Sequence, residues 1–100
     1  MGTQMETENI ASALFGKSRT SVLAILFCHS DRAFYTRQIV RAAGAGHGAV
    51  QRELSALVKA GLAISYRQGN QTYFQANKES PVFQELKGLM IKTARIAAPV

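Results

Sequence analysis

The 100-residue chain contains one cysteine, two prolines and six acidic side chains against twelve of Lys and Arg. With Cys28 alone, no disulfide can close within the chain, which points to a reducing compartment. The longest uncharged apolar run, Thr20 to Ser30, is too short for a hydrocarbon layer of roughly 30 Å. At the N-terminus no cationic segment leads into an apolar one, so a signal peptide is not expected. Met1-Gly2 begins like a myristoylation signal, but Glu6 stands where that motif takes Ser or Thr. A cytoplasmic protein without a membrane partner is the expectation. The acids are scattered, and no Ser-His-Asp set, paired carboxylates or lysine pocket is legible. Neither enzymatic activity nor a catalytic residue is expected.

What charge there is has a direction. The formal net charge is +6, and between Lys17 and Lys78 nine basic residues face two acids, Asp31 and Glu53. Glu6 and Glu8 precede that stretch, and Glu79 and Glu85 follow it. A basic middle between near-neutral ends suits a face that binds a polyanion, with an ordinary solvated surface as the rival. A composition of 47% hydrophobic residues belongs to a folded chain, and the length allows one small domain.

Periodicity divides that domain. Residues 1–6 form a polar, flexible tail, and residues 7–97 a single domain. Ile10, Leu14 and Phe15 share one face of a first helix ending near Gly16. Ser18 is placed to cap a second helix carrying Val22, Ile25, Leu26 and Cys28 or His29 at helical spacing. Ala33-Phe34-Tyr35 is a strand stub, followed by Thr36 as the cap of a third helix burying Ile39, Val40 and Ala43. Gly44 can end that helix, because glycine enters the left-handed region without a Cβ clash. A fourth helix runs from 46–48 to Ala60, with Val50, Leu54, Leu57 and Val58 inward, and Gly61 closes it. Leu62, Ile64 and Tyr66 alternate as a half-buried strand should, Gln68-Gly69-Asn70 turns the chain, and 71–76 return. Ser80-Pro81 opens a last helix with Val82, Leu86, Leu89, Met90, Thr93 and Ala97 in one stripe. The fold class expected is mainly α with a small β-hairpin, in the order α-α-α-α-β-β-α.

The segment Gly48-Ala49-Val50-Gln51-Arg52-Glu53-Leu54, followed by Leu57-Val58-Lys59-Ala60-Gly61-Leu62, resembles the winged helix-turn-helix transcriptional regulators of the ArsR-like and MarR-like group. The hairpin from Tyr66 to Phe74, with a basic residue, a Gly-Asn turn and an aromatic return strand, looks like their wing. The resemblance spans about Ser12 to Lys92. Leu14-Phe15, Arg19 and Phe34-Tyr35, taken with 48–54, look like a subgroup often found ahead of a nucleotidyltransferase-like domain. The Gly-Ser turn and paired aspartates of that domain are not in this sequence.

The resemblance implies a prokaryotic, dimeric transcriptional regulator whose fourth helix, about 47–60, enters the major groove of double-stranded DNA. Gln51, Arg52 and Ser55 lie off the apolar face of that helix. Glutamine and arginine suit adenine and guanine edges as two-pronged partners, though solvated helix residues look the same in sequence. Gly48 and its small neighbours leave the helix start bare for phosphate, and His47 either touches phosphate or is simply exposed. Arg37 and Arg41, four apart and opposite Ile39, are backbone clamps or a solvated face. Arg67, Gln68 and Asn70 occupy the wing, about 66–73, and can meet backbone or minor groove. Subunits are expected to pair through the first and last helices, with Leu86, Leu89, Met90 and Thr93 of the last helix, from about 81, at a dimer interface that would set two reading helices ~34 Å apart.

Rival chemistries are weak. Gly44-x-Gly46-x-x-Ala49 formally matches a dinucleotide fingerprint, but a helix precedes it and no acid follows at the required distance. Cys28, His29 and His47 lack the paired ligands of a metal sensor, so no metal or other cofactor is expected. The alternatives are a winged-helix module that binds protein rather than DNA, and the regulatory part of a nucleotidyltransferase system. The resemblance leaves room for an inducer, or for a nucleotidyltransferase, as a further partner.

Overall fold

The computed structural model describes the backbone of residues 10–97 and the side chains of residues 10–93. The expected tail at 1–6 and the place of Ala97 in the last stripe lie outside the described residues. In chain order the elements are α1 (10–15), α2 (Lys17–Cys28), β1 (Phe34–Tyr35), α3 (Thr36–Ala43), α4 (His47–Lys59), β2 (Ala63–Gln68), β3 (Gln71–Ala76) and α5 (Phe83–Ala97). The expected hairpin is present, and the strand stub does more than expected. It pairs antiparallel with β3 through Phe34↔Phe74 and Tyr35↔Tyr73, giving a three-stranded sheet in the order β1-β3-β2.

The core gathers around α2. Val22, Leu23, Leu26 and Phe27 are all buried, and α2 packs on α3, α4, α5 and β3. Ile39 comes in from α3, Val50, Leu54 and Leu57 from α4, and Phe34, Phe74 and the alanines 63 and 76 from the sheet. Phe83 closes the far side, its ring 5.8 Å from that of Phe27. The inward faces of α3 and α4 are those the spacing predicts, with Val40, Ala43 and Val58 packed partly against the core.

Elsewhere the periods hold and the phases differ. On α2 the buried set is 22, 23, 26 and 27, and Ile25 and Cys28 are only half-buried. On α1 it is Ala11 that is buried, and Ile10 and Leu14 are 53% and 64% exposed. The predicted alternation on β2 is inverted: Ala63 faces the core, while Ile64 and Tyr66 are exposed. Ala63 lies opposite Ala76, and this small pair faces the packed helices where bulkier side chains would overfill the space. Gly69, at φ +65, occupies the first turn position of the hairpin, which two-residue turns of this kind reserve for glycine.

Three caps also shift. Gly16, not Ser18, precedes α2, and no side chain caps it. Tyr35, not Thr36, precedes α3, and its N–H donates to Gln38 Oε1 at 3.0 Å, one half of a capping box. The last helix begins at Phe83, after a turn in which the Ser80 hydroxyl accepts from the Val82 N–H at 3.2 Å. Helix ends commonly differ by a residue or two between descriptions, so the serine keeps a local role at that terminus.

The larger correction concerns α5. Met90 is fully buried and Thr93 nearly so, in the protomer's own core rather than on a free face. The Thr93 hydroxyl donates to Leu89 O at 2.8 Å, which satisfies it without a partner chain. Met90 and Thr93 face inward because the core of so small a domain needs this part of the stripe, while Val82 is exposed. Leu86 and Leu89 remain half-buried at its margin. Met90→Glu would therefore bury an unpaired charge in the fold instead of splitting a dimer. Met90→Ala is expected to cost about 2–5 kcal/mol of stability in urea denaturation. A loss below about 1 kcal/mol would mean that this side chain is not packed as described.

Candidate nucleic-acid interface

Gly44 makes the corner on which the interface is built. It sits at φ 66, ψ 24 and its N–H donates to Val40 O at 3.1 Å, closing α3 so that α4 can start again at His47. With Ile39 inward, Arg37 and Arg41 stand on the outer side of α3, and both are exposed. With Val50, Leu54 and Leu57 inward, α4 turns His47, Gly48, Gln51, Arg52 and Ser55 to solvent. On the hairpin Arg67, Gln68 and Asn70 are exposed as well. Every residue expected to contact DNA is thus accessible, and none is consumed by the core.

The structure brings some of these together. Gln51 and Ser55, one turn apart on α4, border a cleft of about 370 Å³ together with Val58 and Lys59 from the same helix and Ser65 and Phe74 from the sheet. Arg67 follows Ser65 by two positions on β2, so it lies on the same face of the strand. The helix and the hairpin therefore form one surface. The His47 ring lies 3.3 Å from the Gln51 side-chain amide, linking the first turn of α4 to the second.

Charge on this surface is shaped by one ion pair. Glu53 is the only acid in α4, and its Oε1 accepts from Arg19 Nε of α2 at 2.6 Å. The glutamate side chain is 18% exposed, so the carboxylate is turned towards α2 and matched there. Arg52, Lys59 and Arg67 carry the exposed charge instead. Asp31 pairs with Lys78, whose hydrogen bond and charge hold its carboxyl below the ordinary carboxylate range.

Lys59 and Ser65 were not among the sequence candidates. Helical spacing could have found Lys59, four residues beyond Ser55, whereas Ser65 was hidden by the inverted phase of β2. A second feature that spacing did not reveal is a row of tyrosines across the sheet. Tyr35, Tyr73 and Tyr66 lie in one register line. Tyr73 stacks on Tyr66 at 5.6 Å between ring centres and meets Tyr35 edge-on at 5.8 Å. They occupy the sheet face opposite buried Phe74 and Ala76, beside exposed Ile64. The row depends on β1 joining the sheet, which no local pattern encodes.

Other chemistries find less support. Burial pushes the Cys28 thiol up, away from the thiolate needed for reactivity or metal ligation. Among the described residues no group of three or more His, Cys, Asp and Glu side chains converges, and no helix is long and apolar enough to cross a membrane. A polar hollow lined by Lys17, Ser18, Ser21 and 43–45 lies between α2 and the α3–α4 corner. Comparisons with protein families, with characterised proteins and with solved structures find no match for this chain.

The Arg19–Glu53 pair gives a direct expectation. In a double-mutant cycle with Arg19→Ala and Glu53→Gln, the coupling free energy on unfolding should be about 1 kcal/mol, since both groups are only partly withdrawn from water. A coupling indistinguishable from zero would show that the two side chains do not hold one another in solution.

Proposed function

We propose that the chain is a winged helix-turn-helix protein that binds double-stranded DNA in a sequence-dependent manner and acts as a transcriptional regulator. The observation that carries this reading is the make-up of α4. It presents Gln51, Arg52, Ser55 and Lys59 outward, while its one carboxylate is turned inward to Arg19. A helix cleared of exposed negative charge, flanked by a basic hairpin, suits a groove bordered by phosphates. Arg52 and Gln51 read base edges, and Arg37, Arg41 and Arg67 hold the backbone. His47 and Gly48 stand at the start of the helix. A Cβ at Gly48 would meet nothing within 4 Å, so the fold does not itself demand the bareness that a close partner would use.

The protein pairs as a homodimer through its first and last helices, with Met90 and Thr93 left out of the interface because they are buried in the protomer. Ile10, Leu14 and Val82 are 53%, 64% and 42% exposed and Leu86 and Leu89 are half-buried, so the first helix and the start of the last one each leave apolar surface uncovered. Apolar surface of this kind commonly marks a partner interface. Met90 and Thr93 support α5 from within. Exposed Ile64 and Tyr66 on the outer sheet face favour a second reading, a module that docks on protein, and salt dependence separates the two.

Two measurements test the proposal. A dimer using Arg37, Arg41 and Arg67 from each subunit neutralises on the order of six phosphates, so log affinity against log salt should fall with a slope near about −5. A slope close to zero favours the protein-docking module. Arg52→Ala should keep the fold and reduce discrimination at one base pair by about 1–3 kcal/mol in selection on random duplexes. A uniform loss on all duplexes would reduce Arg52 to a phosphate contact.

A further inference from the structure

The cleft between α4 and the hairpin is lined by two residues, Lys59 and Ser65, to which the reading above assigns no contact on the DNA. Gln51, Ser55 and Lys59 reach it from successive turns of α4, and Ser65 reaches it from β2. Val58 and Phe74 supply its apolar part. Lys59 is exposed and takes part in neither of the ion pairs found among the described residues. Glu53, the only carboxylate of the same helix, is already engaged by Arg19. One ammonium group, two hydroxyls and a side-chain amide thus surround an apolar patch, in a cleft of about 370 Å³ with no carboxylate among its lining residues.

That set of groups fits a phosphodiester with its sugar. The ammonium and hydroxyl groups donate to the non-bridging oxygens, as lysine and serine do on nucleic-acid backbones, and the sugar carbons lie on Val58 and Phe74. Geometry selects the same occupant. If α4 fills one groove of a duplex and the hairpin meets the next, the strand between the grooves must pass between these two elements. The cleft lies there. We infer that the α4–hairpin cleft is a seat for one backbone phosphodiester of the DNA strand that crosses from groove to groove, with Lys59 as its charge and Ser55 and Ser65 as its hydroxyl donors. This rests on the DNA-binding reading and extends it to a contact that fixes the helix and the hairpin on the duplex together.

The test pairs Lys59→Gln with duplexes carrying a single neutral methylphosphonate, scanned along the strand between the two groove contacts. At about 0.1 M salt, Lys59→Gln should weaken binding about five- to tenfold on every sequence and lower the magnitude of the salt slope by about one. Wild-type protein should lose a similar factor at one methylphosphonate position, and Lys59→Gln should lose nothing further there. Ser65→Ala should weaken binding without changing the slope, and Lys87→Gln on α5 should leave both unchanged. If Lys59→Gln keeps wild-type affinity and slope, the seat is overturned and the DNA-binding reading stands. If wild-type protein binds no duplex at all, the DNA-binding reading fails and the seat with it. Inorganic phosphate shifting the Lys59 and Ser65 NMR signals, with no methylphosphonate-sensitive position on DNA, would assign the cleft to a free anion and overturn the strand as its occupant.

Discussion

Burial of one helix governs the rest of the molecule. α2 contributes Val22, Leu23, Leu26 and Phe27 to the centre of the core, and α3, α4, α5 and β3 all pack on it. Each such side chain contributes about 1.5–3 kcal/mol relative to exposure, an upper bound because unfolded chains already hide part of their surface. In a domain of this length few other elements bury as much. The rotation of α4 about its axis follows from this packing. Once Val50, Leu54 and Leu57 meet the core, Gln51, Arg52 and Ser55 have no direction left but outward.

The same packing sets the electrostatics. Glu53 adjoins Leu54 on the flank of α4, close enough to α2 for Arg19 to reach it. A carboxylate on the outer side of that helix would repel a polyanion and raise the cost of approach. Held by Arg19, it instead ties the second helix to the fourth. The surface that remains, running from α4 across the cleft to β2, displays Arg52, Lys59 and Arg67. Its basic character depends on where the acid is turned as well as on how many bases there are.

The sheet adds a constraint of another kind. β1 is only Phe34–Tyr35, yet it directs Phe34 inward and Tyr35 outward, placing Tyr35 beside Tyr73 and Tyr66. The start of α3 is thereby fastened to the strand that carries the hairpin. The corner at Gly44 and the hairpin turn at Gly69 belong to one framework. The spacing between α3, α4 and the hairpin is therefore a property of the core rather than of the exposed residues themselves.

Much of this was legible without coordinates. The helices, the corners at Gly44, Gly61 and Gly69, the inward faces of α3 and α4, and the basic middle of the chain all follow from local spacing and residue type. For α1, α2 and β2 the period was readable but the phase was not. Ile10 and Leu14 stand exposed, Leu23 and Phe27 are buried, and Ala63 replaces Ile64 on the inner face. α5 differed in another way: Met90 and Thr93 of its stripe face the protomer's own core, Leu86 and Leu89 are half-buried, and Phe83 is buried where Val82 was expected. The pairing of β1, the Arg19–Glu53 contact and the cleft that joins Lys59 to Ser65 were invisible for the same reason. A repeat of 3.6 or 2 residues states which side chains share a face, because the backbone alone generates it. Which face turns inward, and which distant residue meets it, depends on how several elements compete for one small interior, and only the tertiary structure decides that.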